Sequence, residues 1–531
     1  MGRDAARFFI AVVASLAAWL CCAAAGVATG DAAATGDGAT DLDRLLERSR
    51  VAHGCAAFAA SGKELLLEGQ ATANGLSGAW RLRIAADGRF AEAHATRFPT
   101  RGGFDGQSYW RVDATGLATR TVLEERDDAQ LEQSIWAGTW CARKDGPAVV
   151  DRVGEEAALR IRVRDGLREG RLLLDAASAL PSELVVTTYR SEQRSQFHDW
   201  RAVEGGLAVP WSVTTDDGGQ IASYVVERAL LVDPDPAAFA FPATRPTDAT
   251  FDPALPSAVA CRRAATGHLL VRVELDGADH GRWIFDSGAG GMVIDPDLAK
   301  ELGLAEHGAI WIGGAGAARS VSHLYEAHAL RIGPVTVQSP RLSGLELDDL
   351  SKSFGEKLAG IVGYDLLQRV VATVDMKLGR VELADPATFH RDGVTWRELT
   401  LHGHHPHVEC TFGHPDEERA LFRLDTGAGG VAVLFHEPFV RDSELLLGRV
   451  TTPFSGLSGV GGESKARLGQ VDWFELGGAV VDDPTVIFVE EPRGALADPY
   501  SAGTIGGTLL SQSQLIFDYP HQRVGFVARD S

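Results

Sequence analysis

Two stretches of the sequence combine a carboxylate, a hydroxyl and glycine in the same order. FDSGAGG (285–291) and LDTGAGG (424–430) place Asp286 and Asp425 139 residues apart. Two carboxylates that face each other cannot both ionise readily, so such a pair holds one proton between them. The charged member can take a proton from water while the protonated member donates one. This chemistry supports hydrolysis without a metal or a covalent nucleophile.

The surroundings of the two aspartates are also alike, which predicts an internal repeat. Residues 267–291 read GHLLVRVELDGADHGRWIFDSGAGG and residues 406–430 read PHVECTFGHPDEERALFRLDTGAGG, so that His268 aligns with His407. Each stretch predicts a strand, a turn and a second strand that delivers the aspartate into a glycine loop. Both copies end in a similar way, with an apolar residue and glycine before a hydrophobic strand. A duplicated unit of this kind pairs with its twin.

Six further residues are predicted to support the two loops. Two hydroxyl side chains are expected to fix the loops by hydrogen bonds across the interface between the copies. Four glycines permit backbone angles and close approaches that a Cβ would forbid. These residues are Ser287, Thr426, Gly288, Gly427, Gly363 and Gly506.

The two Asp-Ser/Thr-Gly-Ala motifs, each followed by a hydrophobic pair and glycine, resemble those of retropepsin-like and pepsin-like aspartic peptidases. The similarity covers roughly residues 265–530 and includes GGMVIDPDLAKELGL, where Asp295 is predicted to cap a short helix with Pro296 in its first turn. The resemblance implies two lobes in one chain, catalytic Asp286 and Asp425, a polypeptide substrate, and neither a cofactor nor a metal. A hairpin flap is expected at residues 309–325, with Trp311 or Tyr325 facing the substrate.

Three other interpretations of the motifs are weaker. FDSGAGG also resembles the opening of glutamate racemases, but Cys261 and Cys410 lack the sequence context of the paired cysteines those enzymes use. GAGGVA (427–432) fits a dinucleotide-binding loop, yet its twin ends in valine. A cluster of histidines is spaced too irregularly for a set of metal ligands. It is better explained as solvated residues at the start of a strand. Its members are His402, His404, His405, His407 and His414.

The N-terminus predicts export. Arg3 and Arg7 precede an apolar run to about Leu20 and the small residues 23–25, the layout of a signal peptide over residues 1–25. We therefore expect a periplasmic or secreted protein with no stable transmembrane domain after cleavage. Lipoprotein anchoring through Cys21 or Cys22 is disfavoured because Trp19 and Leu20 do not fit an attachment site. The four remaining cysteines allow up to two disulfides.

Between the leader and the repeat, three segments are predicted. Residues 26–41 are a flexible spacer and residues 42–230 an antiparallel β domain that begins with an amphipathic helix at 42–50. Apolar and polar residues alternate in its strands, and Asp-Gly pairs mark hairpin turns. This domain loosely resembles the half-barrel of outer-membrane lipoprotein carriers, which implies a cavity for a lipid or an apolar peptide. The favoured interpretation is a sheet that supports or shields its neighbour, because fold analogy alone does not fix function. Residues 231–260 hold six prolines and are expected to form an irregular linker.

Composition bounds the remaining choices. The chain has 531 residues, which predicts two or three domains, and a formal net charge of −21, which argues against nucleic-acid partners. We expect an all-β fold in which the half-barrel-like domain precedes a bilobal peptidase domain with lobes at 261–390 and 391–531. The predicted function is an exported aspartic endopeptidase. The alternative is a non-catalytic exported protein that binds a peptide or a lipid on the same lobes.

Overall fold

The computed structural model describes residues 38–141, 148–152, 158–314, 316, 319–414, 416–459, 462–492 and 494–529. Strands account for 49% of the described residues and helices for 16%, which confirms the predicted all-β, aspartic-peptidase-like fold class. The described chain divides into two compact units at the junction between Arg245 and Pro246. The predicted signal peptide and most of the predicted spacer lie outside the described residues.

The first unit is built on one antiparallel sheet of thirteen strands. Its strand order is β6-β5-β4-β3-β2-β1-β13-β12-β11-β10-β9-β8-β7, so that nearly every strand pairs with its neighbour in sequence. The strands are β1 (Glu64–Ala73), β2 (Leu76–Ala85), β3 (Phe90–Ala95), β4 (Thr100–Phe104), β5 (Tyr109–Val112), β6 (Ala118–Thr121), β7 (Ala148–Arg152), β8 (Ala158–Val163), β9 (Glu169–Leu174), β10 (Pro181–Thr187), β11 (Glu192–Ala202), β12 (Ala208–Asp217) and β13 (Gln220–Val232). The helices are α1 (Gly38–His53), α2 (Cys55–Ser61) and α3 (Leu123–Ala137).

The alternating pattern of this sheet follows the sequence. Trp80 and Leu82 of β2 are buried whereas Arg81 between them is exposed. Three Asp-Gly pairs, at 87–88, 105–106 and 165–166, lie in the connections between adjacent paired strands, and the fourth, at 217–218, begins at the last residue of β12. Leu46 of α1 and Trp136 of α3 pack into the same core as the buried strand residues. The unit therefore has its own hydrophobic core.

Two segments differ in extent from their prediction. The helix expected at 42–50 is present but begins earlier, at Gly38, inside the predicted spacer. The Pro-rich segment 231–260 is not irregular throughout, because Ala249–Phe251 forms a strand that pairs with Val335–Val337. No proline falls within that strand, since Pro246 and Pro253 flank it.

The second unit contains the remaining elements. Its strands are β14 (Ala249–Phe251), β15 (Cys261–Arg263), β16 (Leu269–Leu275), β17 (Ala278–Phe285), β18 (Val293–Ile294), β19 (Ala305–Gly313), β20 (Arg319–Glu326), β21 (Ala329–Ile332), β22 (Val335–Gln338), β23 (Arg341–Gly344), β24 (Leu358–Val362), β25 (Val371–Asp375), β26 (Arg380–Ala384), β27 (Thr395–Glu398), β28 (Thr400–His402), β29 (His405–His414), β30 (Asp416–Leu424), β31 (Val433–Phe435), β32 (Thr452–Phe454), β33 (Ser458–Gly459), β34 (Gly462–Glu463), β35 (Ala466–Gln470), β36 (Trp473–Leu476), β37 (Ala479–Asp482), β38 (Thr485–Val489), β39 (Gly503–Ile505), β40 (Gln514–Asp518) and β41 (Arg523–Val527). Its helices are α4 (Pro296–Glu301), α5 (Asp348–Phe354), α6 (Tyr364–Leu367), α7 (Glu437–Asp442) and α8 (Gly507–Leu510).

The strands that carry the two motifs are arranged in the same way. In the eleven-stranded sheet, β16 and β17 form a hairpin, β17 runs parallel to β24, and β24 pairs antiparallel with β18. In the ten-stranded sheet, β29 and β30 form a hairpin, β30 runs parallel to β39, and β39 pairs antiparallel with β31. Each aspartate thus follows a strand that is held on both sides.

A third sheet joins the ends of the two predicted lobes. Its order is β26-β25-β40-β41-β27, so strands from residues 371–384 pair directly with strands from residues 514–527. The boundary predicted at 390/391 therefore does not separate two independent sheets.

Other sequence expectations have clear outcomes. Asp295 caps α4 by accepting hydrogen bonds from the backbone N–H groups of Asp297 and Leu298, and Pro296 lies in the first turn, as predicted. Cys261 and Cys410 are free thiols, which excludes the arrangement with two disulfides. Among the described helices, none has the length and apolar content needed to cross a membrane.

Candidate active site

Asp286 is held at the end of a buried parallel ladder. The hairpin partner β16 and the parallel strand β24 flank β17, and the apolar residues Ile284 and Phe285 are almost fully buried. The ladder continues one residue past the strand, because the Asp286 N–H donates to the carbonyl of Val362 at 2.9 Å. The aspartate backbone is thereby fixed before the glycine turn begins.

Asp425 is held in the same manner by the second set of strands. Phe422 and Leu424 of β30 are fully buried, and β39 runs parallel beside them. The Asp425 N–H donates to the carbonyl of Ile505 at 2.9 Å, which matches the contact at Asp286.

Reciprocal hydrogen bonds tie the two loops together. The Ser287 N–H donates to Thr426 Oγ1 at 2.9 Å, and the Thr426 N–H donates to Ser287 Oγ at 3.0 Å. Each hydroxyl then donates to a carbonyl of the opposite strand, Ser287 to Leu424 at 2.9 Å and Thr426 to Phe285 at 3.2 Å. Ser287 and Thr426 thus make the cross-loop hydrogen bonds expected from the sequence.

Gly288 and Gly427 leave room for the opposite carboxyl group. A Cβ at Gly288 would lie 2.4 Å from Cγ of Asp425, and a Cβ at Gly427 would lie 2.4 Å from Cγ of Asp286. Any side chain at these positions would displace the carboxyl groups. Each aspartate therefore lies against the glycine of the other motif, which brings the two carboxyl groups together.

Gly363 and Gly506 allow the chain to pass next to each loop, as predicted. A Cβ at Gly363 would lie 2.4 Å from the carbonyl oxygen of Ala289, and one at Gly506 would lie 2.5 Å from that of Ala428. The residues that follow the glycines donate to the same carbonyls, Tyr364 to Ala289 and Gly507 to Ala428.

Both carboxyl groups are fully buried, and their pKa values are raised. Burial and the nearby charge of Asp425 raise the pKa of Asp286 well above its usual range. Burial raises the pKa of Asp425 to about 6, although Arg423 opposes that rise. Asp286 Oδ1 accepts from the Gly288 N–H at 2.7 Å. Within the described residues, the other three oxygens of the pair make no hydrogen bond of ordinary geometry.

Such a pair retains a proton at pH values where an isolated aspartate has lost it. It therefore contains an acceptor and a donor of protons side by side.

Comparison with known proteins agrees with this geometry over part of the chain. Residues 271–366 match the family model described as "Aspartyl protease". That segment includes Asp286 and its loop but not Asp425. No curated protein sequence matches the chain.

One solved structure that matches is the crystal structure of Basic 7S globulin from soybean. It has 11% sequence identity and a TM-score of 0.33, and the alignment covers 53% of this chain and 96% of the globulin chain.

The segment in which a flap was predicted, residues 309–325, lies in a hairpin formed by β19 and β20. Trp311 is half-buried on β19, with the guanidinium of Arg319 5.6 Å from its ring centre. At the end of the hairpin, the carbonyl of Gly314 accepts a hydrogen bond from the Ala495 N–H at 2.9 Å.

The prediction that Tyr325 faces the substrate is wrong. Its side chain is only 4% exposed and packs in the main hydrophobic core of the unit, next to Gly344. Tyr325 lies on the part of β20 that pairs with β23, opposite Leu342. This pairing turns its ring into the core, and the local sequence gave no sign of that long-range contact.

Three buried polar residues near the loops had no predicted role. His268 Nε2 lies 2.6 Å from the carbonyl oxygen of Gly427 and Nδ1 lies 2.8 Å from Thr266 Oγ1. Because a carbonyl can only accept, Nε2 carries the proton and Nδ1 accepts from the threonine. Tyr519 is fully buried, and the charges of both aspartates raise the pKa of its hydroxyl further than burial alone. The third residue is Arg423, two positions before Asp425.

The alignment of the two repeats, which pairs His268 with His407, was the sequence signal that could have identified His268. His407, however, does not make the equivalent contact with the loop of the other motif. His407 Nδ1 instead lies 3.1 Å from the carbonyl oxygen of His405. His402, its neighbour at a ring distance of 5.4 Å, lies 3.5 Å from Asp498. Across the described part of the chain, no three His, Cys, Asp or Glu side chains are grouped to hold a metal.

Proposed function

We propose that this chain is an exported, two-lobed aspartic endopeptidase that arose by internal duplication. Asp286 and Asp425 would hydrolyse peptide bonds by activating a water molecule between them. The observation that carries the proposal is the mutual placement of the carboxyl groups, each seated against the glycine of the other motif. The aspartyl protease match over residues 271–366 supports the same chemistry for the first motif.

The supporting residues have defined parts in this mechanism. Ser287 and Thr426 hold the two loops at a fixed separation through their reciprocal hydrogen bonds. The three carboxyl oxygens without a hydrogen bond of ordinary geometry are the groups that would bind the water and the substrate carbonyl. The β19–β20 hairpin, with Trp311, would close over a bound polypeptide and exclude bulk water. No cofactor is required.

The decisive experiment measures cleavage of a mixed peptide library by the exported protein between about pH 3 and pH 8, a window that spans the titration of a carboxylate pair. Asp286→Asn and Asp425→Asn should each abolish cleavage because either change removes the shared proton. The matched control is Asp349→Asn, since this side chain is 96% exposed in an ion pair on α5. A hydroxyl inhibitor that mimics the tetrahedral intermediate should block the wild type.

Full activity in either Asp286→Asn or Asp425→Asn would refute the proposal. Absence of cleavage by a folded wild type, together with stoichiometric binding of library peptides, would favour the non-catalytic alternative instead.

Export is proposed from the leader alone. Mass spectrometry of the protein recovered from outside the cytoplasm should show a new N-terminus near residue 26, without an attached lipid. An intact Met1 or a lipidated cysteine would contradict this assignment.

A further inference from the structure

Arg423 places a buried positive charge beside one aspartate of the pair. Its side chain is only 1% exposed, although arginine is rarely buried without a partner. The ladder between β30 and β39 continues through Asp425, so the chain is extended from Arg423 to the aspartate. Residues two apart on an extended strand project from the same face. The guanidinium keeps its charge at all relevant pH values.

The arginine is incompletely paired. Its Nε and Nη1 atoms are buried and have no hydrogen-bond partner within the described residues. A buried charge without full compensation acts over a longer distance than an exposed one, because little solvent screens it. Asp425 is therefore exposed to the field of Arg423.

The first motif has no such charge. Ile284 occupies the position two residues before Asp286 and pairs with Ile361 of β24, whereas Arg423 pairs with Thr504 of β39. Ile284 and Ile361 belong to an apolar cluster. The two aspartates thus have similar backbone settings but different electrostatic surroundings.

The other ionisable groups around Arg423 do not make the electrostatic surroundings of the two aspartates equal. His407 is its partner on β29, and His436 approaches through Thr504, with its Nε2 3.1 Å from the threonine hydroxyl. Burial lowers the pKa of His407 well below its usual range and that of His436 to about 4, so both are uncharged near neutral pH. They add no further positive charge.

Asp498 is the one buried carboxylate in this group. Burial disfavours its charged form, but His402 and Arg423 hold its pKa below the ordinary range. Its Oδ1 accepts from the Tyr500 N–H at 2.9 Å, and its Oδ2 lies 3.5 Å from His402. Asp498 thus contacts His402, and it makes no hydrogen bond with Nε or Nη1 of Arg423.

We propose that Arg423 makes Asp425 the ionised member of the pair, so that Asp425 is the base and Asp286 the acid. This assignment rests on the proposed function. As the water oxygen bonds to the carbonyl carbon, its proton passes to Asp425 and the Asp286 proton passes to the carbonyl oxygen, which gives a neutral gem-diol. When the C–N bond breaks, Asp425 protonates the amine nitrogen and one diol proton returns to Asp286. Arg423 acts through Asp425 and is a positioning residue.

The test is a site-resolved titration of the full chain, which needs no catalytic turnover. Aspartate labelled with ¹³C at Cγ reports the protonation of each carboxyl group, and Asp286→Asn and Asp425→Asn assign the two resonances. In the wild type, the Asp425 resonance should carry most of the first deprotonation step, and the Asp286 resonance most of the second.

Arg423→Met removes the charge but keeps a long apolar side chain. It should raise the lower apparent pKa of the pair by about one pH unit or more and move the acidic limb of the kcat/KM profile in the same direction. Arg423→Lys should retain the wild-type titration. The matched control is Ile284→Met, which alters packing at the equivalent position beside Asp286 without a change in charge.

First deprotonation at Asp286 in the wild type would overturn the assignment, even if every Arg423 variant failed to fold. An unshifted titration in folded Arg423→Met, or an equal shift in Ile284→Met, would overturn it too. The predicted titration without any peptide cleavage would leave the assignment intact and refute the proposed function. Peptide cleavage by the wild type together with an unshifted titration in Arg423→Met would support the proposed function and refute the assignment of Asp425 as the base.

Discussion

At the scale of single residues, the site depends on hydroxyl groups that serve two partners each. Thr426 Oγ1 accepts from the Ser287 N–H and donates to the Phe285 carbonyl, so one atom holds both the opposite loop and the opposite strand. Ser287 does the same in the other direction. Because all of these groups are buried, the loss of one hydroxyl leaves one donor and one acceptor without a hydrogen-bond partner, and water cannot reach them to replace it.

We therefore expect Thr426→Ala to lower the free energy of unfolding by about 1–3 kcal/mol and to reduce kcat/KM through a shift of the loop. Thr426→Ser keeps the hydroxyl and should retain most of both quantities. Urea unfolding and peptide cleavage measure them. Equal behaviour of the alanine and serine variants would show that the hydroxyl is not what holds the loop.

His268 is a second residue of this kind, because it makes the stability of the protein depend on pH. Burial lowers its pKa from 6.5 to about 4, whereas the unfolded chain takes up the proton near pH 6.5. The unfolded state therefore binds more protons between these values, and the contribution of His268 to stability is lost as the pH falls from about 6.5 to about 4.

His268→Gln preserves an N–H donor for the Gly427 carbonyl but does not titrate. Its loss of stability between pH 7 and pH 4 should be smaller than that of the wild type by about 3 kcal/mol. Urea unfolding at both pH values tests this, with the exposed His390→Gln as the control. Parallel pH dependence in wild type and His268→Gln would contradict the assignment.

At the scale of elements, the β19–β20 hairpin carries one half-buried aromatic side chain and one that is buried in the core. Trp311 is half-buried near the free end, while Tyr325 is at the base, where β20 also pairs with β23. The strand alternation and the additional pairing thus give the two aromatic rings different surroundings.

Trp311→Ala should reduce kcat/KM by about tenfold with little change in stability. Tyr325→Ala should instead lower the free energy of unfolding by about 3–5 kcal/mol, the usual effect of deleting a buried aromatic ring. Cleavage kinetics and urea unfolding of both variants separate the two roles. A Trp311→Ala variant that is destabilised as much as Tyr325→Ala would place both rings in the core.

At the scale of the whole molecule, the two units have separate hydrophobic cores. Leu82 is fully buried in the core of the first unit and Leu515 in that of the second. A unit with its own core can unfold as a cooperative block.

Leu82→Ala and Leu515→Ala should therefore each lower one of two transitions in calorimetry of the full chain, by about 2–5 kcal/mol for the affected unit. The exposed Leu447→Ala should alter neither transition. A single transition that both core variants shift equally would show that the units unfold together.

The sequence by itself determined the features that local pattern controls. Alternating apolar residues define strands such as β2, Asp-Gly pairs define its hairpins, and Asp295-Pro296 defines the start of α4, because backbone preference and burial act over a few residues. The repeat also indicated the loop residues Ser287, Gly288, Thr426 and Gly427 without a structure.

Only the tertiary structure decided the contacts between residues far apart in the chain. It buried Tyr325 through a strand that begins sixteen residues later, joined His268 to the loop of the other motif, and made Ala249–Phe251 a strand between two prolines. It also revealed the field of Arg423 on Asp425. Packing among distant strands fixes these positions, and no short stretch of sequence carries that information.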